Sequence, residues 1–257
     1  MNTLDPRRSQ RSRKERAPSS WIPPFVVGTL HSAACLRKLS KAPEEIFQVI
    51  DLLEARLDSL PLDSLPSRWP LPVIATARHP EEGGEGSLTS LKRQQLLEEA
   101  LPWAFAIDIE WRSRKQLAST MEVAKKTKRL VILSFHDFYT LPPQKRLTSM
   151  LLEAKERGAD IFKVACRINT KEELLALIDF QIMAETQFPA ATMGMGPGGK
   201  LSRLLLPLFG SMLSYGWLAQ AQLEGQWSAL EIAAHFRAFE KEISLAARTG
   251  VEPVRQP

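Results

Sequence analysis

Two apolar runs near the middle of the chain decide the fold: Ser134-Phe-His-Asp-Phe138 and, after a helix-length segment, Gly158-Ala-Asp-Ile-Phe-Lys-Val-Ala165. His136 interrupts the first run and Lys163 interrupts the second. Both runs are typical of buried strands, in which alternate residues share a face. His136 should therefore lie on the face of Ser134, and Lys163 on the face of the residues two positions away. A strand, a helix-length segment and a second strand indicate parallel neighbours in one sheet.

The combination of a buried lysine and a neighbouring histidine is chemically informative. An amine surrounded by apolar residues is costly to keep charged, and its neutral form is a nucleophile. A histidine on the adjacent strand can take up and return protons beside it. Lys163 and His136 indicate either a Schiff-base lysine with a histidine acid/base, or a snorkelling lysine and a satisfied core histidine. The rest of the chain favours the first interpretation.

The bulk composition sets the class of protein. The chain has 257 residues, 44% of them hydrophobic and 25% charged, which is ordinary for a soluble globular protein. No apolar run approaches the roughly 20 residues of a membrane span. Two cysteines make neither a disulfide framework nor a metal-ligand spacing. Their scarcity fits a reducing compartment, so we expect a cytoplasmic protein without a membrane partner.

The net charge of +5 is concentrated at the start of the chain. Residues 1–20 carry +4 of it, which leaves a nearly neutral body and argues against a nucleic-acid partner. The Arg/Ser-rich segment 1–22 is predicted to be a disordered tail, and it lacks the apolar core of a secretory signal. It could bind anionic surfaces or act in targeting. We predict one domain over residues 23–250 and a flexible end over 251–257.

The order of elements predicts an α/β fold, a (β/α)8 TIM barrel. Strands are expected to start near 25, 51, 73, 105, 130, 160, 189 and 211, each followed by a helix or a helix-length link. The last strand is assigned to 209–215. Helices are expected to open at Ala42-Pro43-Glu44-Glu45 and to cover 88–101, 147–157 and 228–247. A doubly wound open sheet is the rival, but no Gly-x-Gly-x-x-Gly follows the first strand.

Charged residues occupy the carboxyl ends of five successive predicted strands. They are Glu54, Arg56 and Asp58; Arg78; Asp108 and Glu110; His136; and Lys163. In a barrel this rim is where active sites form. Several arginines facing one cavity indicate an anionic or polyhydroxylated substrate. A lysine without phosphate-binding glycines nearby indicates carbonyl chemistry.

The chain resembles the type I 3-dehydroquinate dehydratase family, the Schiff-base lyases of the shikimate pathway. The motifs run in the family's order over roughly residues 25–230: Glu54-Ala-Arg-Leu-Asp58, Thr76-Ala-Arg78, Glu82-Gly-Gly84, Asp108-Ile-Glu110, Ser134-Phe-His-Asp-Phe138, Gly158-Ala-Asp-Ile-Phe-Lys163, Met195-Gly196, Ser202-Arg203, Phe209-Gly-Ser211 and Gly225-Gln226. Each motif is short, but the ordered set is highly specific.

The resemblance implies a mechanism. Lys163 would condense with the C3 ketone of 3-dehydroquinate. His136 would remove a proton from C2 and return one to the departing C1 hydroxyl, giving 3-dehydroshikimate. This reaction is the third step of the shikimate pathway, which leads to the aromatic amino acids. Glu82 would orient and polarise His136. The resemblance implies no metal or organic cofactor, and it implies a homodimer.

The resemblance also implies the substrate-binding residues. Arg203 and Gln226 would hold the substrate carboxylate and a neighbouring hydroxyl. The ring hydroxyls would be bound by Glu54, Arg56 and Arg78, with Thr29 at the edge of the site. Gln222, in the late lid, can donate a hydrogen bond to the carboxylate.

The lid departs from the family. It usually reads Ser-Ala-Pro-Gly-Gln, and here it reads Gln222-Leu-Glu-Gly-Gln226, so that Gln222 replaces a serine and Glu224 a proline. Glu224 would repel the carboxylate if it faced inward. Two alternatives to the dehydratase stay open: another class I aldolase-like Schiff-base enzyme, and a non-catalytic barrel that binds quinate-like ligands. The first does not predict the His-Asp-Phe strand, and the second would be expected to lose Lys163 or His136.

Overall fold

The computed structural model describes residues 24–41, 44–222 and 224–239 of the chain. Their strands are β1 (Phe25–Leu30), β2 (Leu52–Arg56), β3 (Val73–Thr76), β4 (Ala106–Glu110), β5 (Leu130–Asp137), β6 (Ile161–Arg167), β7 (Ala190–Met195) and β8 (Leu213–Trp217). Their α-helices are α1 (Ala33–Ser40), α2 (Ser90–Ala100), α3 (Ala118–Lys126), α4 (Gln144–Glu156), α5 (Lys171–Glu185), α6 (Gly199–Leu205) and α7 (Ala229–Ala238).

The eight strands form one sheet in the order β7-β6-β5-β4-β3-β2-β1-β8, and the ladders between neighbours are parallel. Consecutive strands are neighbours, and the first strand pairs with the last, as in a barrel. The predicted (β/α)8 barrel is therefore confirmed.

Strand alternation produces two apolar layers. Residues that face the barrel axis form an inner cluster, which includes Ile132, Ile161 and Tyr215. Residues that face outward, such as Phe135 and Phe162, form a larger cluster with the surrounding helices. In the β5–β6 ladder Ser134 is opposite Lys163 and His136 is opposite Ala165. Because these residues point inward, the strand pattern delivers a lysine and a histidine to the mouth of the barrel.

The seam between β7 and β8 closes the barrel without a regular ladder among the described residues. The backbone N–H of Met212 donates to the carbonyl of Ala190 (2.9 Å). Ser211 adds a side-chain bridge, since its Oγ accepts from the backbone N–H of Thr192 (2.9 Å) and donates to that residue's carbonyl (3.1 Å). A serine hydroxyl thus substitutes for two missing ladder partners.

One predicted helix is wrong, and the last strand is present but starts later than predicted. The helix expected from Ala42-Pro43-Glu44-Glu45 is a 3-10 turn over Glu44–Gln48 in its described part, and α1 lies earlier, capped by Ser32 Oγ on the N–H of Cys35 (3.4 Å). The strand expected over 209–215 begins at Leu213, because a 3-10 turn over Leu206–Phe209 and a left-handed Gly210 (φ +86°) precede it.

Several predictions concern residues outside the described ranges. These are the tail over 1–22, the flexible end over 251–257 and the later part of the helix expected over 228–247, of which α7 is the described portion. The helices in the described ranges are too short or too polar to cross a bilayer.

Candidate active site

The mouth of the barrel holds a cavity of about 560 Å³ at the carboxyl ends of the strands, a size that suits a small metabolite. The residues predicted from the sequence as a site all line it: Thr29, Glu54, Arg56, Arg78, Glu82, His136, Lys163, Arg203, Gln222 and Gln226. The structure therefore brings together residues that are up to 197 positions apart in the sequence.

Lys163 lines the cavity and is 2% exposed. Its Nζ donates to Asp108 Oδ2, and the other oxygen of Asp108 accepts from Ser134 Oγ. Burial raises the pKa of Asp108, but the charges of Lys163 and Arg78 outweigh this effect and hold that pKa below its usual value. Asp108 therefore stays anionic and provides a fixed negative charge beside the amine.

His136 lies on the adjacent strand β5, two residues beyond Ser134, which is the residue paired with Lys163. Its Nδ1 lies 2.8 Å from Glu82 Oε2, and Arg78 Nη1 lies 3.1 Å from its Nε2. Burial lowers the pKa of His136 well below 6.5, and the positive charges of Arg78 and Lys163 add to this effect. The imidazole is therefore neutral at physiological pH, as a general base must be.

Glu82 reaches His136 from the short 3-10 turn Pro80–Glu82. The turn ends at Gly83 (φ +81°), where a Cβ would lie 2.8 Å from the ring of Phe138, so only glycine suits this position. Burial raises the pKa of Glu82 to about 8, and the charge of Glu110 contributes, while the charge of Arg78 opposes the change. Glu82 also accepts from Arg112 Nε (3.1 Å).

A polar network forms the β2–β3 side of the cavity. Glu54 accepts from Thr29 Oγ1 (3.1 Å), from Thr76 Oγ1 (2.9 Å) and from Arg78 Nη2 (3.4 Å). Arg56 makes a two-point contact with Asp58 at 2.8 and 2.7 Å. These bonds fix a carboxylate and two guanidinium groups in the cavity wall, where they can bind hydroxyl groups.

Arg203 enters the opposite side from α6. Its Nη1 donates to the carbonyl of Tyr215 (3.0 Å), and its Nε donates to the carbonyl of Gly225 (3.3 Å). Within the described ranges no acidic side chain pairs with it. Burial lowers its pKa to about 10. Its Nη1 also lies 3.4 Å from Met193 Sδ. A buried guanidinium whose partners are all uncharged is suited to an anionic ligand, such as a carboxylate.

The lid segment borders the same side. The backbone N–H of Gln222 donates to Gln226 Oε1 (2.7 Å), so the side chain of Gln226 is bonded to the backbone of its own segment. Glu224 is exposed and lies outside the cavity lining. Its side chain therefore does not place a negative charge beside Arg203.

Sequence reasoning left several residues without a role. Asp108 was placed on the rim but not paired with Lys163, and Glu110 pairs with the buried Arg93 instead of lining the cavity. His31 and Tyr215 also line the cavity. Strand alternation could have found them, because His31 comes two residues after Thr29 and Tyr215 two after Leu213.

In the described part of the chain no cluster of His, Cys, Asp or Glu could hold a metal ion.

Comparison with known proteins gives consistent matches. The family model described as type I 3-dehydroquinase matches residues 32–242. The chain is 31% identical over 220 residues to 3-dehydroquinate dehydratase of Methanothrix thermoacetophila, covering 83% of this chain and 91% of that protein. It is 32% identical to catabolic 3-dehydroquinate dehydratase of Acinetobacter baylyi, covering 60% of this chain and 59% of that protein. The crystal structure of 3-dehydroquinate dehydratase from Geobacillus kaustophilus superposes with a TM-score of 0.75 at 24% identity, covering 85% of this chain and 92% of that one.

Proposed function

The chain belongs to the type I 3-dehydroquinase family, and we propose that it dehydrates 3-dehydroquinate to 3-dehydroshikimate through a Schiff base on Lys163. The activity and its place in the shikimate pathway follow from the family. The proposal for the mechanism rests on one observation, the buried Lys163–Asp108 pair with neutral His136 on the adjacent strand. Family membership favours the dehydratase over the aldolase-like alternative and the non-catalytic barrel.

The first step joins the substrate to the enzyme. Lys163 gives one proton to a base and its lone pair attacks the C3 ketone to form a carbinolamine. The base then returns the proton to the carbinolamine hydroxyl, so that water leaves and an iminium ion forms. The iminium keeps one positive charge where the ammonium had been. Asp108 already balances that charge, so formation of the iminium requires little rearrangement of the buried charges.

The second step is the elimination. His136 takes a proton from C2, and the electron pair of the C–H bond moves into the iminium to give an enamine. The nitrogen lone pair of the enamine then re-forms the iminium, and the electron pair of the enamine double bond forms the C1–C2 double bond as the bond from C1 to the hydroxyl oxygen breaks. His136 gives its proton to the departing hydroxide. Water has left and a C1–C2 double bond has formed. Hydrolysis of the iminium releases 3-dehydroshikimate and restores Lys163.

The cavity walls support this orientation of the substrate. Arg203 and Gln226 would bind the carboxylate, because Arg203 is buried and its partners among the described residues are uncharged, namely two carbonyl groups and the sulfur of Met193. Glu54, Arg56 and Arg78 would bind ring hydroxyls on the opposite wall. Thr29 would hold Glu54 in place, and Gln222 would cover the carboxylate from the lid.

Borohydride trapping tests the mechanism. The protein is mixed with 3-dehydroquinate, reduced with sodium borohydride, and analysed by intact mass and peptide mapping. We expect one reduced adduct, on the peptide that contains Lys163, and none in Lys163→Ala. His136→Ala is the matched control, since it should keep the nucleophile and still form the adduct. Turnover by Lys163→Ala, or turnover of the wild type without an adduct on Lys163, would refute the Schiff base.

The family resemblance also leads us to propose a homodimer that acts in the cytoplasm. Light scattering coupled to size-exclusion chromatography tests the first point, because a monomeric mass at micromolar concentration would contradict it.

A further inference from the structure

Tyr215 has a polar group for which the fold offers no partner. The residue is 7% exposed, faces the barrel axis from β8 and lines the cavity. Its hydroxyl oxygen is buried and has no hydrogen-bond partner among the residues that the structure describes. A buried hydroxyl without a partner is costly. Such a group in the wall of a binding cavity indicates that the ligand completes it.

The ring of Tyr215 lies beside the reacting centre. Lys163 Nζ is 4.5 Å from the ring centroid, so the aromatic face stabilises a positive charge at that nitrogen. A phenylalanine would provide the same face. The ring alone therefore does not explain a tyrosine at this position, and the function of the hydroxyl must be sought separately.

The charges around the phenol define what it can do. Burial raises the pKa of Tyr215 well above 10, and the negative charges of Glu54 and Asp108 raise it further. The phenol therefore stays protonated and can donate a hydrogen bond at any physiological pH. Its hydrogen-bond partner must therefore be an acceptor oxygen that the nearby carboxylates do not repel.

We propose that the Tyr215 hydroxyl donates a hydrogen bond to a ring hydroxyl oxygen of the substrate, and that it is a specificity-determining residue. A hydroxyl group can accept from Tyr215 and donate to Glu54 at the same time. A substrate carboxylate could not do this, because Glu54 would repel it. The inference rests on the proposed function, since it assumes that 3-dehydroquinate occupies this cavity.

The test is Tyr215→Phe, which removes the oxygen and keeps the ring. The contact exists in both the ground state and the transition state, so we expect KM for 3-dehydroquinate to rise about tenfold and kcat to stay within about twofold. The matched control is Tyr139→Phe. Tyr139 is the only other tyrosine of the chain and is 83% exposed, so its loss should leave both constants unchanged.

Two further readouts separate binding from structure. The thermal midpoint of ligand-free Tyr215→Phe should equal or exceed that of the wild type, because no internal hydrogen bond is lost. Analogues of the substrate that each lack one ring hydroxyl identify the acceptor. Their dissociation constants are compared, because the analogue without the C1 hydroxyl cannot be turned over. The Tyr215→Phe penalty should disappear for the analogue that lacks the contacted hydroxyl and persist for the others.

The outcomes distinguish the two proposals. Wild-type protein without turnover of 3-dehydroquinate would refute the proposed function. Normal wild-type turnover with an unchanged KM in Tyr215→Phe would refute only the role of Tyr215. A lowered thermal midpoint, or a penalty that persists for every deoxy analogue, would also overturn the hydroxyl contact.

Discussion

His136 and Glu82 are 54 positions apart in the sequence, yet Nδ1 of the imidazole lies 2.8 Å from Oε2 of the carboxyl group. The same oxygen accepts the backbone N–H of His136 at 3.2 Å. Glu82 thus holds both the ring and the strand end that carries it. With Nδ1 held in this way, Nε2, which lies 3.1 Å from Arg78 Nη1, is the ring nitrogen that would remove the proton of C2 in the proposed mechanism.

The first prediction concerns Glu82 as a positioning residue. Glu82→Ala should lower kcat by about 100-fold, because it removes the group that orients the base. Glu82→Gln keeps an oxygen at that position, so its kcat should be about tenfold higher than that of Glu82→Ala. Steady-state kinetics with 3-dehydroquinate measure both, and KM should change little. Equal activity in the wild type and Glu82→Ala would show that His136 needs no such partner.

A second prediction concerns His136 itself. His136→Ala should lower kcat by roughly 100-fold or more if this residue moves the proton. Single-turnover experiments should then show rapid formation of the borohydride-trapped adduct, followed by slow release of product. A variant that forms product at the wild-type rate would assign the proton transfer to another group.

The pH profile provides a third prediction. Burial and the charges of Arg78 and Lys163 hold the pKa of His136 well below 6.5, so mild acid should not protonate the free enzyme's base. In Glu82→Gln, where the neighbouring carboxyl group with its pKa of about 8 no longer titrates, we expect log kcat/KM to stay level from about pH 7.5 down to pH 6.5 and to fall only at lower pH. The profile is measured at constant ionic strength. A twofold loss of kcat/KM already at pH 6.5 would mean that His136 titrates as it would in water.

Much of the barrel could be predicted because the signal is local. In β2 each charged residue alternates with an apolar one, so Glu54 and Arg56 had to share the inner face. The same alternation predicts that His136 and Lys163 face inward, and the order strand, helix, strand predicts that their two strands are neighbours. Register and side of the sheet follow from a period of two, which a single sequence displays directly.

Other features depend on partners that no local pattern reveals. The salt bridge of Asp108 with Lys163 links residues 55 positions apart. Ser211 closes the barrel seam because β7 and β8 lack a ladder there, and nothing in its own neighbourhood indicates this role. The missing partner of the Tyr215 hydroxyl is likewise visible only once the surrounding side chains are in place.

A fourth prediction concerns the stability of the barrel. Arg93 reaches inward from α2, is completely buried, and donates to Glu110, to Ser113 Oγ (2.7 Å) and to the carbonyl of Ala77 (2.7 Å). Arg93→Met should lower the free energy of unfolding by about 3–5 kcal/mol, because it leaves a buried carboxylate without its main partner. Urea denaturation measures this change.

The matched control for Arg93 is the double variant Arg93→Met/Glu110→Gln. A glutamine can still accept the backbone N–H of His79, which donates to Glu110 Oε1 at 3.1 Å. The double variant should therefore be more stable than Arg93→Met alone. If it is less stable, the unpaired charge of Glu110 is not the source of the loss.

The last prediction concerns the lid, where Gln222 and Glu224 replace the serine and proline usual in the family. Gln222 lines the cavity, and its side chain must be ordered before it can contact a carboxylate, whereas a serine hydroxyl has less freedom to lose. Gln222→Ser should therefore lower KM for 3-dehydroquinate, by about threefold, with kcat unchanged. Glu224 is exposed and outside the cavity, so Glu224→Gln serves as the control and should leave KM as it is. An unchanged or raised KM in Gln222→Ser would show that the substitution does not weaken substrate binding. A lowered KM in Glu224→Gln would show instead that its charge reaches the substrate when the lid closes.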